Sequence, residues 1–345
     1  MTRTRNRFVI LLLAATPLCF IQSIDFVYAL GNEQVASLAP TLIDREFGYV
    51  RKAIRATVHV EPREETKNYR VLSLSFASSG ENGQPGNLVR ALYYRSKLSG
   101  QKNVVVVLPI WGTHTYPSRK MVRSLLKYSD GRMNVLRILD GEYLFDWDAM
   151  KSASTEQQLM ATFRRMAKRV RTHVIDIRRS IDWLEQQPDV DPDHIGLVGF
   201  SMAAMVSSLV VANEPRVAAT VLAMGGANPH EMFATCFGRA EQARKIIMSR
   251  FGWTKEIFQK KLEKPVSSIN PVRFAGSVDP KRVLMFEAKY DTCIPKTGRD
   301  ALWQAMGRPK RVTWPYGHKM SFIMMTFLGL NRMRREIYDF LEATL

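Results

Sequence analysis

The chain has 345 residues, of which 46% are hydrophobic, and it carries a formal net charge of +18 at pH 7. This length and apolar content suffice for one large folded domain, and they exclude an intrinsically disordered chain, a collagen-like chain and a small disulfide-built scaffold. The excess of positive charge would attract anionic polymers, anionic surfaces or acidic substrates.

The N-terminal segment has the composition of an export signal. Several arginines precede an almost uncharged run over residues 8–24, and the β-branched Val27 and the small Ala29 occupy the two positions that signal peptidase would read. Signal peptides show this order of charged, apolar and small residues, and cleavage after Ala29 would leave a mature domain over residues 30–345. The apolar run also approaches the length of a minimal membrane span, so an uncleaved anchor is the alternative. We therefore expect a periplasmic or secreted protein, or one that is attached to the membrane through residues 1–29.

The first half of the mature chain is rich in strand patterns. Residues 32–60 have a mixed helical pattern, and residues 80–86 form a predicted turn. The four consecutive valines of Val104–Val107 are typical of a central strand that is buried on both faces. The predicted strands of this half lie over residues 69–76, 88–94, 103–108 and 134–139.

A long amphipathic helix is predicted next. Ser154 and Gln157 match a capping box at its start, and apolar residues recur at spacings of three and four over residues 159–184. The arginines and lysines between them alternate with these apolar positions. Such alternation indicates a solvated helix face and disfavours a nucleic-acid site.

Strands and helices continue to alternate toward the C-terminus. This pattern predicts an α/β fold with a mostly parallel sheet covered by helices on both faces. Residues 226–280, hereafter the insertion, interrupt the alternation with two Met- and aromatic-containing helices over 241–251 and 255–262, and they are a candidate lid. The other predicted strands lie over 194–200, 217–224, 282–286 and 311–314, and the other helices start at 202, 299 and 322.

A serine lies where a buried strand runs directly into a helix. In Gly199-Phe200-Ser201-Met202-Ala203, such a junction holds the Ser201 hydroxyl on a sharp turn above the sheet. Small residues are needed two positions before and two positions after the serine, and Gly199 and Ala203 supply them. The N–H of Met202 then lies at a helix N-terminus, where it can stabilise negative charge on a substrate oxygen. The motif alone also fits plain close packing in a tight turn.

A serine hydroxyl needs a base, and the base needs a carboxylate that orients it. Asp291 follows the predicted strand over 282–286, and His318 follows the last predicted strand. The chain order Ser201, Asp291, His318 is the order expected of a nucleophile, acid and base on a parallel sheet of this type. These three residues are therefore the candidate catalytic residues.

The turn after the valine strand is the expected source of a second oxyanion donor. Its Thr113 N–H is the candidate, and a shift of one residue either way stays open. Trp111 and His114 in the same turn are candidate substrate-binding residues. The histidines have no metal-ligand spacing and no phosphate-binding loop is visible, so we predict no metal and no cofactor.

The sequence resembles the α/β-hydrolase superfamily, and most of all its dienelactone-hydrolase-like and esterase branch. The resemblance extends from Leu88 to the C-terminus and is most specific in residues 182–202, Asp291-Thr292-Cys293-Ile294-Pro295 and Gly317-His318. It implies the α/β-hydrolase fold, an eight-stranded and mostly parallel sheet, a Ser-His-Asp triad and an acyl-enzyme mechanism. The chain departs from the family pattern at Ala203, Ala288 and Trp111.

The function expected from these features is hydrolysis of a carboxylic ester, or of a related small acyl compound, by an exported serine hydrolase. A serine peptidase or thioesterase of the same fold is an alternative, since the substrate depends on the pocket and not on the fold. A catalytically degenerate binding protein is the other alternative. The two cysteines of the mature chain, Cys236 and Cys293, permit a disulfide without establishing it, and the oligomeric state stays open.

Overall fold

The computed structural model describes residues 46–61, 64–79, 88–110, 116–139, 144–326 and 331–345. The predicted leader, the turn over residues 80–86 and the turn that carries Thr113 lie outside the described residues. No helix among the described residues has the length and apolarity that a membrane crossing requires.

A central sheet of nine strands runs through the described part of the chain. The strand bounds are Thr57–Val60 (β1), Tyr69–Ala77 (β2), Leu88–Ser96 (β3), Lys102–Val107 (β4), Met133–Ile138 (β5), Val190–Phe200 (β6), Val217–Ala223 (β7), Val283–Ala288 (β8) and Lys310–Trp314 (β9). The strands stand side by side in the order β1-β2-β3-β5-β4-β6-β7-β8-β9. The β1–β2, β2–β3 and β3–β5 pairs are antiparallel, and every pair from β5 to β9 in this order is parallel.

Helices cover both faces of the sheet, as the alternation of strand and helix patterns predicts. The helix bounds are Tyr116–Ser129 (α1), Trp147–Ser152 (α2), Glu156–Glu185 (α3), Met202–Asn213 (α4), Pro229–Thr235 (α5), Arg239–Phe251 (α6), Lys255–Glu263 (α7), Lys296–Ala305 (α8), His318–Thr326 (α9) and Asn331–Thr344 (α10). On one face α3, α4 and the insertion pack in one apolar core, and on the other face α1, α9 and α10 pack in a second core.

The middle of the sheet is the most deeply buried part, because its strands have apolar side chains on both faces. Val104–Val107 in β4 are 0% exposed, and the last residues of β6 are buried in the same way. Parallel strands covered on both faces carry such continuous apolar runs. The mostly parallel α/β sheet covered by helices on both faces, which the sequence predicts, is therefore confirmed.

Three local predictions were wrong. The segment predicted as helical over 32–60 ends in strand β1, so the described sheet has nine strands instead of eight. Strand β1 is exposed along its whole length, and its alternation Thr-Val-His-Val is too short to indicate a strand. The capping box is formed by Thr155 and Gln158, one residue later than predicted, because the Thr155 hydroxyl accepts the Gln158 N–H. The C-terminal helix predicted from residue 322 is two helices, α9 and α10.

The insertion between β7 and β8 contains α5, α6 and α7, followed by short 3₁₀ turns. The two helices predicted there are confirmed, with α6 and α7 ending within one residue of the predicted bounds. Arg250 near the end of α6 donates to the carbonyls of Lys151 and Ala153, at 2.6 and 2.7 Å. The insertion is thereby attached to the segment between α2 and α3.

A buried ion-pair network joins the end of α3 to the loop that precedes β7. Arg216 donates to Asp182 at 2.8 Å, to Glu185 at 2.6 Å and to both carboxylate oxygens of Glu214 at 2.6 Å. Glu214 is 2% and Asp182 4% exposed. Burial acts to raise the pKa of Glu214, but hydrogen bonds and charge from Arg216 and Arg178 hold that pKa below its ordinary value.

Replacing the central cation of this network should destabilise the domain strongly. Arg216→Met leaves two buried carboxylates without their main partner, and we expect the free energy of unfolding to fall by about 3–5 kcal/mol in urea titrations at pH 7. Because the folded-state pKa of Glu214 is lowered, its contribution is present above the ordinary value of 4.5 and is lost as the pH falls below it. Arg332→Met, which removes an exposed pair with Glu336, should cost at most about 0.5 kcal/mol. Equal losses in the two variants would contradict the account.

Candidate active site

Ser201 occupies a strained turn between β6 and α4. Its backbone has φ 55° and ψ −120°, a left-handed conformation that non-glycine residues rarely adopt. The Ser201 N–H donates to the Ala223 carbonyl at the end of β7, at 2.8 Å, and its own carbonyl accepts the N–H of Ala204 at 2.9 Å. These bonds attach the turn to both the sheet and the helix, and the side chain is left half-buried at the edge of the sheet.

Small residues around the turn are a steric requirement. A Cβ at Gly199 would overlap the Ser207 hydroxyl and the Ala203 carbonyl. A Cβ at Gly225, just beyond β7, would lie 2.5 Å from the Ala204 side chain. Strand β6 and helix α4 therefore approach so closely that Gly199 cannot gain even a methyl group without displacing the helix.

The structure brings the three candidate catalytic residues together. Ser201 Oγ lies 2.9 Å from His318 Nε2, and His318 Nδ1 lies 2.7 Å from Asp291 Oδ2. Because a carboxylate only accepts, the Nδ1–H donates to Asp291 and leaves the Nε2 lone pair to accept the Ser201 proton. The Asp291 side chain is 0% and that of His318 is 5% exposed, so the pair is shielded from water.

The loop that carries Asp291 is bonded to the loop that carries His318. The Lys289 N–H donates to the Trp314 carbonyl at 2.8 Å, and the Tyr290 N–H donates to the Tyr316 carbonyl at 3.0 Å. The other carboxylate oxygen of Asp291, Oδ1, accepts the N–H groups of Cys293 and Ile294, both at 2.8 Å. Both oxygens of this buried carboxylate therefore accept hydrogen bonds from the protein, as the burial of a charge requires.

Two aromatic rings that the sequence did not indicate pack against His318. The Phe237 ring, from the insertion, lies edge-on with a centroid distance of 5.9 Å, and the Phe322 ring, one turn along α9, lies at 5.4 Å. Phe322 could have been found by its i+4 spacing from His318. Phe237 could not, because 81 residues separate it from His318 along the chain.

The predicted oxyanion and substrate residues are only partly within the described structure. Met202 is the first residue of α4, where the N–H has no acceptor inside the helix. Thr113, Trp111 and His114 lie outside the described residues. Among the described histidines, His318 is the one that lies within hydrogen-bond distance of Ser201. His173, for example, is buried within α3, where burial lowers its pKa to about 4.

A family model places the chain among known hydrolases. The model described as "Dienelactone hydrolase family" matches residues 89–264, which is just over half of the chain. The chain belongs to the dienelactone hydrolase family. The matched residues include Ser201 but end before Asp291 and His318. The proximity of these two residues to Ser201 is therefore seen in the structure and not in the family match. No curated protein sequence matches the chain.

Solved structures of the same fold extend the comparison beyond the matched region. An acetyl xylan esterase from Paenibacillus sp. R4 is 15% identical, with a TM-score of 0.63 over 90% of this chain and 93% of its own. Acetyl xylan esterase 1 from Thermoanaerobacterium sp. JW/SL YS485 is 16% identical, with a TM-score of 0.59 over 89% and 92%. The Pyrococcus horikoshii acylaminoacyl peptidase is 14% identical, with a TM-score of 0.52 over 81% of this chain and 42% of its own. At these identities the similarity shows the α/β-hydrolase fold.

The described residues contain no group of three or more His, Cys, Asp or Glu side chains that could hold a metal ion. The polar groups at Ser201 form a chain of two hydrogen bonds, from the hydroxyl to the imidazole and from the imidazole to the carboxylate. Such a chain can transfer a proton away from the hydroxyl and make its oxygen nucleophilic.

Adding one methyl group beneath the serine should destroy this geometry. In Gly199→Ala the new Cβ overlaps Ser207 and Ala203, so we expect the free energy of unfolding to fall by at least ~1–3 kcal/mol. Gly276→Ala is the matched control, because a Cβ at this exposed position meets no atom within 4 Å. It should change stability by less than about 1 kcal/mol. Urea denaturation of both variants is the measurement, and a fully stable Gly199→Ala protein would contradict the close approach of β6 and α4.

Proposed function

We propose that the protein is a serine hydrolase of carboxylic esters, with Ser201 as nucleophile, His318 as general base and acid, and Asp291 as the residue that orients His318. The observation that carries the proposal is the continuous hydrogen-bond line from the Ser201 hydroxyl through His318 to Asp291, at 2.9 and 2.7 Å. Membership of a hydrolase family supports it.

Acylation begins when the Ser201 oxygen attacks the carbonyl carbon of the ester. His318 Nε2 takes the hydroxyl proton, and Asp291 stabilises the imidazolium that results. As the tetrahedral intermediate collapses, His318 gives this proton to the departing alkoxide oxygen, so that an alcohol leaves and the acyl group stays on Ser201. Water then attacks the acyl carbon with His318 as base, and the acid and free Ser201 are released.

Negative charge on the substrate oxygen must be stabilised while these steps proceed. The Met202 N–H at the start of α4 is one proposed donor, and the helix dipole adds to its effect. The Thr113 N–H is the second proposed donor. Trp111 and His114, on the same turn, are proposed to contact the substrate.

The insertion supports an acyl substrate with an apolar part. It brings Phe237 against the general base and buries Phe233 against Phe145, and the Phe145 ring in turn stacks on Trp147 with a centroid distance of 4.9 Å. We propose that the insertion is a lid over the acyl site. The esterases among the structural neighbours support an ester as the substrate of this protein. The acylaminoacyl peptidase has the same fold, so a peptide is the second candidate substrate.

Labelling with a fluorophosphonate should identify Ser201 as the nucleophile. We expect wild-type protein to be labelled at Ser201 and to hydrolyse p-nitrophenyl acetate, and we expect Ser201→Ala to lose both properties. The loss in kcat should be roughly 10⁴- to 10⁶-fold, because the nucleophile, base and acid act as a unit.

The matched control is Ser208→Ala, which removes a buried hydroxyl from the same helix α4 without touching the line of three residues. Its activity should stay near that of the wild type. Turnover that survives in Ser201→Ala, or a protein that the probe does not label, would contradict the mechanism. Faster turnover of aminoacyl p-nitroanilides than of p-nitrophenyl esters would identify the peptidase alternative instead.

We also propose that the protein is exported. The charged, apolar and small residues of positions 1–29 support this, and so does the disulfide between Cys236 and Cys293, since disulfides persist in oxidising compartments. N-terminal sequencing of the protein recovered from its cell should give a chain that starts at Leu30 in the exported fraction. A chain that starts at Met1 in the membrane fraction would identify a retained anchor, and recovery from the cytoplasm alone would contradict export.

A further inference from the structure

A disulfide joins two segments that both contact the candidate triad. Cys236 ends α5 in the insertion, and Cys293 lies in the loop after β8, two residues beyond Asp291. The two cysteines are 57 residues apart in the sequence. The bond therefore ties the insertion to the loop that carries the acid.

On one side of the disulfide, the backbone of Cys293 orients the acid. Its N–H donates to Asp291 Oδ1 at 2.8 Å, and the N–H of Ile294 donates to the same oxygen at 2.8 Å. This leaves Oδ2 directed at His318 Nδ1. A displacement of Cys293 would therefore turn the carboxylate that holds the imidazole.

On the other side of the disulfide, the next residue along the chain packs on the base. Phe237 follows Cys236 directly, and its ring lies edge-on to His318 at 5.9 Å. Phe322 contacts the imidazole at 5.4 Å. The Lys319 ammonium lies 5.2 Å from the Phe237 ring centroid. The position of Cys236 thus decides where one of the two rings against His318 can lie.

A hydrogen bond reinforces the disulfide. The Thr235 hydroxyl lies 2.8 Å from the Cys293 carbonyl and 2.8 Å from the Glu231 carbonyl of its own helix, so its single proton is shared between the two acceptors. The end of α5 therefore holds Cys293 twice, once through sulfur and once through its carbonyl. Cys293 is 3% exposed, whereas Cys236 is half-buried, so a reductant can approach the bond from the Cys236 side.

We propose that the Cys236–Cys293 disulfide is a positioning element of the active site, which holds Asp291 and Phe237 where His318 can accept the Ser201 proton. The enzyme is then fully active only in the oxidised state. This inference rests on the proposed function. Reduction breaks the S–S bond with two electrons and two protons and gives two thiols. A water-soluble trialkylphosphine can supply the electrons, and it becomes a phosphine oxide with an oxygen atom from water.

Steady-state kinetics on p-nitrophenyl acetate test the proposal. Three proteins are compared: oxidised wild type, wild type reduced with the phosphine, and the double variant Cys236→Ser/Cys293→Ser. We expect kcat to fall about 10- to 100-fold in the reduced and the double-variant proteins, because a small misplacement of the base costs that much. KM should change little, since the lost interaction acts on the proton transfer and not on binding. The phosphine should leave the double variant unchanged.

Variants of Thr235 separate positioning from general stabilisation. These variants keep both cysteines and are reduced with the phosphine before the assay. Thr235→Val then removes the remaining link to Cys293 and should lower kcat further. Thr235→Ser keeps a hydroxyl that can donate to the same carbonyl, and it should retain the activity of the reduced wild type. Far-UV circular dichroism of each sample reports whether the domain is folded.

Two results would overturn the inference: a reduced protein that is folded and has the kcat of the oxidised protein, or a domain that unfolds as a whole on reduction. Either result would show that the disulfide does not set the geometry of the site in the folded protein. Oxidised wild type that shows neither turnover nor labelling at Ser201 would overturn the proposed function, and the inference with it. Turnover by the oxidised wild type therefore shows whether the inference alone has failed or the proposed function as well.

Discussion

The site depends on the left-handed backbone of one residue. A positive φ at a non-glycine position costs about 1–3 kcal/mol, and it persists only where the surroundings determine it. At Ser201 they do so through the bond to the Ala223 carbonyl, through the first turn of α4, and through the buried side chain of Phe200 just before the turn. The same conformation forces β6 and α4 together, which explains why Gly199 has no room for a Cβ.

The second half of the site depends on contacts between loops that are distant in sequence. Parallel strands end at the same edge of a sheet, so the loops after β8 and β9 are neighbours of the Ser201 turn. This proximity alone does not place an imidazole within 3 Å of a hydroxyl. The backbone bonds from Lys289 and Tyr290 to the loop before His318 supply the remaining precision. They fix the acid and the base as one unit, which the disulfide then connects to the insertion.

The features that the sequence predicts correctly are those that local patterns determine. Consecutive valines, the alternation of strands and helices, and the serine at a strand-to-helix junction each reflect short-range structure, and the fold and the neighbourhood of Ser201 follow from them. Strand β1 is only four residues long and exposed throughout, so its short Thr-Val-His-Val alternation does not distinguish it from a loop. Ser154 and Thr155 are adjacent hydroxyl residues with glutamines three positions later, so the sequence alone could not decide which one caps α3. The pairing of Cys236 with Cys293 and the contact of Phe237 with His318 arise only when the insertion folds back.

Burial of the acid and base explains why these long-range contacts matter. A carboxylate that is 0% exposed would destabilise the domain unless donors from the protein replaced the hydrogen bonds that it makes with water. Asp291 has the N–H groups of Cys293 and Ile294 on one oxygen and His318 on the other. Since water cannot replace a donor that moves away, a shift of the loop would not be compensated by solvent. The dry environment that strengthens the interaction between carboxylate and imidazole therefore also makes this interaction depend on how rigidly the loop is held. The disulfide at Cys293, two residues from Asp291, holds the loop covalently.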